Sequence, residues 1–417
     1  MKDPHKRAVI TGLGVLAPNG NSLDAFWQAT LHRVSGIGPI TLFSTEEFPV
    51  SAAGEIKSFQ LQDFLDPGLQ IKEKRLGRHT CLGIAAMHMA LRHARLSPAD
   101  LKSQEPVEVH LGVSTSAIDV IEKGKEILTK RGPSRVSPYI VSACQPHAVA
   151  CEIVETLGIR TRKSTHSSAC PAGMEALAAA MMSIRNGENA VVLCGGVDAP
   201  ITPLTMASFH LAGLAPDTGF SPEQSSRPFD AKRKGGLIAE GAGMFVVESL
   251  AHALSRGATP LAELMGYGSI ADDPGSESGS GFAASMKEAM DHAGLLPMDI
   301  GYVNAHGPSH PVLDRMEARA IHEVFGPLAN HLPVSSIKGV IGNPLSAAGP
   351  LQLAACVQSL RAGILPPTAN YDYPDPDCDV QVVHGAPFHT QVDRILLNVH
   401  GLGGGNSSLI VKRIQES

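Results

Sequence analysis

Cys170 lies in the run STHSSACPAGMEALAAAMMSIRNG, where a β-like stretch meets a small-residue turn and a long helix-periodic segment. A thiol just ahead of a helix faces that helix's unpaired N–H groups and positive end, a placement that favours thiolate. Two distant segments supply partners of suitable chemistry: VNAHG holds His306 and KGVIGNPLSAAG holds Asn343. A cysteine with a remote histidine and asparagine is a candidate site for acyl transfer through a thioester. The run GLGGG near the C-terminus is not a phosphate loop, because no lysine follows it and it sits between two strand-like segments rather than ahead of a helix.

Alternating elements must position these residues. RAVITGLGVL reads as a strand, followed by an amphipathic helix from about Ser22. Residues 69–95 read as mostly helical, VEVHLGVST as a strand, and helix signals recur to about Gly158. The strand leading to Cys170 is followed by a helix to about Asn186, then by the strands AVVLCGG and GAGMFVVESL. The second half repeats this style, with strands at LAELMGYGSIAD and IGYVNAHG and helices over 285–293, 315–325 and 345–362. DRILLNVHG and SSLIVKR form a closing strand pair. Strands separated by helices predict a mixed α/β layered fold with its sheets covered on both sides. The order of elements predicts two βα-rich halves, 1–250 carrying the cysteine and 251–417 carrying the histidine and asparagine.

The chain has 417 residues, 43% hydrophobic and 18% charged, an ordinary globular composition with ample length for a large core. A net charge of -6 gives no reason to expect a nucleic-acid partner. No window is long and apolar enough for a membrane span, and the N-terminal apolar stretch is too short and glycine-broken for a secretory signal. Seven cysteines, odd in number and mostly in apolar runs, fit a reducing compartment, so a cytoplasmic location is expected. Cys144 and Cys151 lack zinc-ligand spacing, while Cys81, Cys194 and Cys356 read as buried small hydrophobes. Lys72, Lys74, Arg75 and Arg78 make a local basic patch, either a solvated helix face or a dock for an acidic partner.

Taken together, RAVITGLGVLAPNG, SACPAGMEAL, RPFDAKRKGGLIAEGAG, VNAHGPSHPVLDRMEA, VSSIKGVIGNPLSAAGPLQLAA and LLNVHGLGGGNSSLIV resemble the β-ketoacyl-(acyl carrier protein) synthases of the type II elongating branch. The resemblance covers nearly the whole chain. It implies the thiolase fold, a layered αβαβα architecture built from two pseudo-duplicated halves. It implies decarboxylative Claisen condensation in a fatty-acid or polyketide system, with acyl carrier protein as partner, no cofactor or metal, and a homodimer. Cys170 would hold the acyl chain, and the backbone N–H groups of Cys170 and His400 would form the oxyanion hole. Gly401, Gly403, Gly404 and Gly405 would let that backbone approach closely. His306 would donate to the malonyl thioester carbonyl, and Lys338 and Glu317 match the family's supporting charged pair.

This sequence departs from the family pattern at the site itself. Asn343 stands at the second histidine, giving a Cys-His-Asn set. Pro308 and His310 replace two threonines that hold the pantetheine arm. His400 and Leu402 replace bulky aromatics, and Gly236 falls where phenylalanine is usual. These departures keep two other functions open: an acyltransferase that uses the acyl-cysteine without decarboxylation, and a chain-length-factor-like partner in a heterodimer with a related ketosynthase-like subunit.

Overall fold

The structure, a computed structural model, describes residues 3–414. An eleven-stranded mixed sheet runs through it. Its strands are β1 (Ala8–Leu16), β2 (Val107–Gly112), β3 (Thr161–His166), β4 (Val191–Asp198), β5 (Gly241–Ser249), β6 (Ala262–Ala271), β7 (Tyr302–Asn304), β8 (Pro333–Ser335), β9 (Gln381–Val382), β10 (Arg394–His400) and β11 (Gly405–Arg413). The spatial order is β9-β8-β7-β10-β11-β6-β1-β5-β4-β2-β3. Strands before residue 250 therefore occupy one end and strands after it the other, joined where β1 pairs with β6 at Val9–Glu263 and Ile10–Ala262. All nine residues of β1 and all nine of β5 are buried, which explains their near-continuous apolar sequences.

Six of the helices among the described residues build the layers: α1 (Arg78–Ala94), α2 (Ala148–Leu157), α3 (Ala172–Asn186), α4 (Ser280–Ala293), α5 (Pro311–Phe325) and α6 (Ala348–Ala362). α1 and α2 share one apolar cluster with the first-half strands, and α4 and α5 share another with the second-half strands. α3 and α6 lie between, in a third cluster that draws residues from β1, β5, β10 and β11. Twelve of the 15 residues of α6 are buried, as expected for a helix enclosed on every side. Helices outside each end of this one sheet and between its two ends give the layered α/β architecture expected from the sequence.

Several boundaries differ from the sequence reading. Residues 69–77 are irregular apart from one 3-10 turn at Glu73–Arg75, and α1 begins only at Arg78. Four consecutive charged residues there leave no apolar stripe to dock. α5 starts at Pro311, earlier than expected, because the His310 side chain caps the Val312 and Leu313 N–H groups and proline suits the first helical turn. α4 likewise starts at Ser280 rather than 285. Among the described residues, no helix is long and apolar enough to cross a membrane.

Arg78 corrects the basic patch. Its guanidinium meets the buried Glu240 carboxylate at 2.6 and 2.7 Å and donates to the Ile56 carbonyl. Lys72, Lys74 and Arg75 remain exposed, with Arg75 4.2 Å above the Tyr139 ring. The Arg78–Glu240 pair anchors the segment against which Asn343 is laid: Asn343 N–H donates to Leu237 O, and Ala239 N–H to Asn343 O. Arg78→Met leaves the Glu240 charge buried and should destabilise the fold by about 3–5 kcal/mol. Adding Glu240→Leu should recover much of that loss in denaturant unfolding; a double variant no more stable than the single one contradicts the pair's role.

Candidate active site

Cys170 sits on a sharp turn between β3 and α3. Ala169, directly before it, is held at φ 62, and Ala172 N–H closes the turn onto Ala169 O. Two other site segments carry the same kind of strain. Ser309 (φ 68) lies between Pro308 and His310, and Leu345 (φ 50) follows Asn343 by two residues. Left-handed non-glycine residues hold only where surrounding structure fixes them, and they gather at functional sites.

Cys170, His306, Pro308, His310, Asn343, His400 and Leu402 all line one cavity of about 220 Å³. Lys338 and Glu317 do not line it; they hold His306 from behind. Glu317 accepts the N–H groups of His306 and Gly307, both at 2.8 Å, and the Asn398 amide at 3.0 Å. Lys338 Nζ donates to the His306 carbonyl at 2.6 Å and to Gln352 Oε1 at 3.1 Å. Gln352 Nε2 in turn faces the carbonyls of Asn304, Ala305 and Asn398. The histidine is therefore fixed through its main chain, which leaves its ring free to serve a ligand.

The expected thiolate is not the resting state. Burial pushes the Cys170 thiol up to about 11, and the opposing influences of Lys338 and of a hydrogen bond from the Asn343 side chain do not cancel it. Lys338 is lowered to about 8, by burial first. His306 is lowered well below 6.5 by burial and then by Lys338, His400 and His310, so its ring is neutral. A neutral imidazole still donates one hydrogen bond. Its Nδ1 is buried without a partner, as is Asn343 Oδ1. Cys81 and Cys378 are pushed up to about 12 by burial, and Cys144 and Cys151 are half-exposed.

The glycines behave differently from one another. A Cβ on Gly401 would stand 2.5 Å from Pro171 Cδ, so the end of β10 presses on the Cys170 turn. Gly403 and Gly404 serve the turn instead, at φ 94 and 84, whereas Gly405 meets neither need. Gly236 is required because Pro308 O lies 2.2 Å from where its Cβ would be. Leu402 is 73% exposed at the cavity mouth. The sequence reading missed Phe209 and Leu214 in the lining, and Gln352, Asp272 and Asn406 behind it. Gln352 had a signal, a lone amide in the apolar run PLQLAACV.

The pattern of the β-ketoacyl synthase N-terminal domain matches residues 5–253, and that of the C-terminal domain matches residues 261–372. The chain belongs to the β-ketoacyl synthase family. It is 35% identical over 416 residues to a 3-oxoacyl-[acyl-carrier-protein] synthase 2 of Staphylococcus aureus (strain N315), covering 99% of each chain. Among solved structures, it resembles the ishigamide ketosynthase/chain length factor with a TM-score of 0.91 and 30% identity, covering 98% of this chain and 99% of that one. It also resembles a type II PKS acyl-carrier protein complex with its ketosynthase bound to the hexaketide, with a TM-score of 0.88, 27% identity and the same coverage. The thiolase fold of these synthases is the fold described above.

Two ring states in this synthase follow from its hydrogen bonds. His310 Nδ1 accepts from Val312 and Leu313 N–H, so its proton is on Nε2. His306 is neutral for the reasons above. Nitrogen NMR of ¹⁵N-histidine protein should show His306 unprotonated through the pH range in which exposed histidines become charged, and His310 as the Nε2–H tautomer. A His306 that titrates with the surface histidines contradicts this description.

Proposed function

We propose that this chain condenses a Cys170-bound acyl group with a malonyl unit on acyl carrier protein, with loss of carbon dioxide, in a type II fatty-acid or polyketide pathway. The observation that carries the reading is one small cavity shared by the Cys170 thiol, a neutral His306 and the Asn343 amide. The acyl thioester forms on Cys170. His306 and Asn343 then donate to the malonyl thioester carbonyl, stabilising the enolate left by decarboxylation. The enolate carbon attacks the Cys170 thioester, a carbon–carbon bond forms, and Cys170 leaves as thiolate, which takes up a proton.

Backbone geometry supports the oxyanion hole. Gly401 N–H donates to Gly405 O, so the alternation of an antiparallel pair turns His400 N–H away from β11. That leaves it free of β11, at the strand end that packs on the Cys170 turn. Acyl carrier protein is the proposed partner, and the exposed Lys72, Lys74 and Arg75 suit its acidic surface. A second subunit, a copy of this chain or a related one, would extend the sheet at its free edge strand β3. A purely tunnel-shaping subunit has no use for a cysteine so placed, which disfavours the chain-length-factor reading.

Asn343→Ala and His306→Ala should each lower carbon dioxide release from malonyl carrier protein by roughly 10²–10³, the scale of one lost oxyanion-type donor. Acylation of Cys170 should fall far less, and Asn343→His should keep or raise decarboxylation. Wild-type protein that acylates Cys170 yet releases no carbon dioxide from malonyl carrier protein would make it a non-decarboxylating acyltransferase. Separately, Lys74→Glu with Arg75→Glu should slow acyl loading at low salt and little at high salt. Unchanged loading at low salt would make these residues a solvated face only.

A further inference from the structure

Three histidines face the cavity, and their surroundings give them different chemistry. His310 uses its Nδ1 lone pair as a helix cap, so when neutral it can only donate into the cavity. His306 lies against Lys338 and the other two imidazoles, with no carboxylate on its ring, and is held neutral. His400 has the opposite setting. Asn406 Nδ2 faces three acceptors, Asp272 Oδ2 at 2.9 Å, Gly404 O at 3.0 Å and Ile270 O at 3.2 Å, which fixes that amide's orientation. Asn406 Oδ1 is therefore the atom 3.0 Å from His400 Nδ1, and Nδ1 must carry the proton. The Asp272 carboxylate lies 3.6 Å from the same nitrogen. Neutral His400 thus keeps its lone pair on Nε2, at the edge of the ring opposite these partners.

The ring is clamped by Phe282, stacked at 5.3 Å between centroids, and lies 6.1 Å from the His306 ring. The next residue, Gly401, packs on Pro171 and Ala169, either side of Cys170. The charged and titratable groups facing His400 are Asp272 from the end of β6, His306 beyond β7 and His310 ahead of α5. The carboxylate lies behind Nδ1, away from the cavity.

We propose that His400 is the proton shuttle for acyl loading of Cys170. Its Nε2 takes the Sγ proton as sulfur attacks the thioester carbonyl of acyl carrier protein. The new carbon–sulfur bond forms at Cys170, the bond to the pantetheine sulfur breaks, and the departing thiolate takes the proton back from Nε2. Nothing is oxidised or reduced, and His400 ends neutral. A buried thiol that rests protonated needs such a base, and a neutral imidazole backed by a carboxylate is suited to it. Asp272 and Asn406 are positioning residues that fix the tautomer and stabilise the transient imidazolium.

This assignment rests on Cys170 as the acyl carrier, and the test separates the two. Acylation of Cys170 by acyl carrier protein is followed by intact mass at a series of pH values, in wild type, His400→Phe, His400→Gly and Asp272→Asn. Wild-type loading should be fast near neutral pH and change little into the alkaline range where thiols ionise. His400→Phe should load about 10²-fold more slowly near pH 7, with a rate that keeps climbing into the alkaline range where thiols ionise. Added imidazole should speed His400→Gly but not His400→Phe, a rescue that a packing defect does not give. Asp272→Asn, which keeps the ring, should slow loading as well. His400→Phe loading at the wild-type rate with the wild-type pH profile overturns the shuttle and leaves the acyl-enzyme intact. A wild type that never acylates Cys170 overturns both.

Discussion

A fully buried carboxylate organises this site. Glu317 accepts the main-chain N–H groups of His306 and Gly307, while Lys338 holds the His306 carbonyl from the other side. Neither charge is in water, so each depends on the other and on the amides around them: Gln352 for the lysine, Asn398 for the glutamate. Removing one member would leave a buried charge or unpaired donors. The network is a rigid mount whose only product is a neutral ring at a fixed place. The same desolvation that demands the network also keeps His306 uncharged and raises the Cys170 thiol. Both effects bear on the proposed chemistry, in which neutral donors stabilise an enolate and a base takes the thiol proton.

The fold delivers the three site segments from different layers. Cys170 comes from the turn entering the central helix α3, His306 from the end of β7, and Asn343 from the loop ahead of α6. Asn343 is itself paired through its backbone to the segment that Arg78 and Glu240 secure. Each segment holds a left-handed non-glycine residue at or beside the site. The strain is supported by α3 and α6, which are buried between the two ends of the sheet.

The long strands and helices were legible in the sequence because their apolar periodicity is strong. The closing pair β10–β11 and the helix that follows Cys170 fall where their patterns place them. Residues 69–77 were misread because their charges can decorate a helix or a loop equally well, and only docking decides. The cavity-facing residues were legible through motif and residue type. Glu317 and Lys338 were legible only as a charged pair that matches the family's pattern; that they act on the main chain of His306 is a tertiary fact no side-chain pattern reports. Asp272 and Asn406 are far from His400 in purpose until β6, β10 and β11 bring them together. The thiol's state was misjudged for a related reason. Position at a helix start is visible in sequence, whereas complete burial is a tertiary fact, and here burial prevails.

In the proposed reaction the Cys170 acyl group becomes joined to a decarboxylated malonyl unit. The direct measurement is mass spectrometry of the carrier protein after incubating this chain with acyl carrier protein and ¹³C-labelled malonyl carrier protein. The expected product is a β-ketoacyl carrier two labelled carbons longer than the starting acyl group, with one carbon dioxide per product and Cys170 returned free. An acyl group that stays on Cys170 or passes unchanged to another acceptor, with malonyl carrier protein left intact, would contradict it.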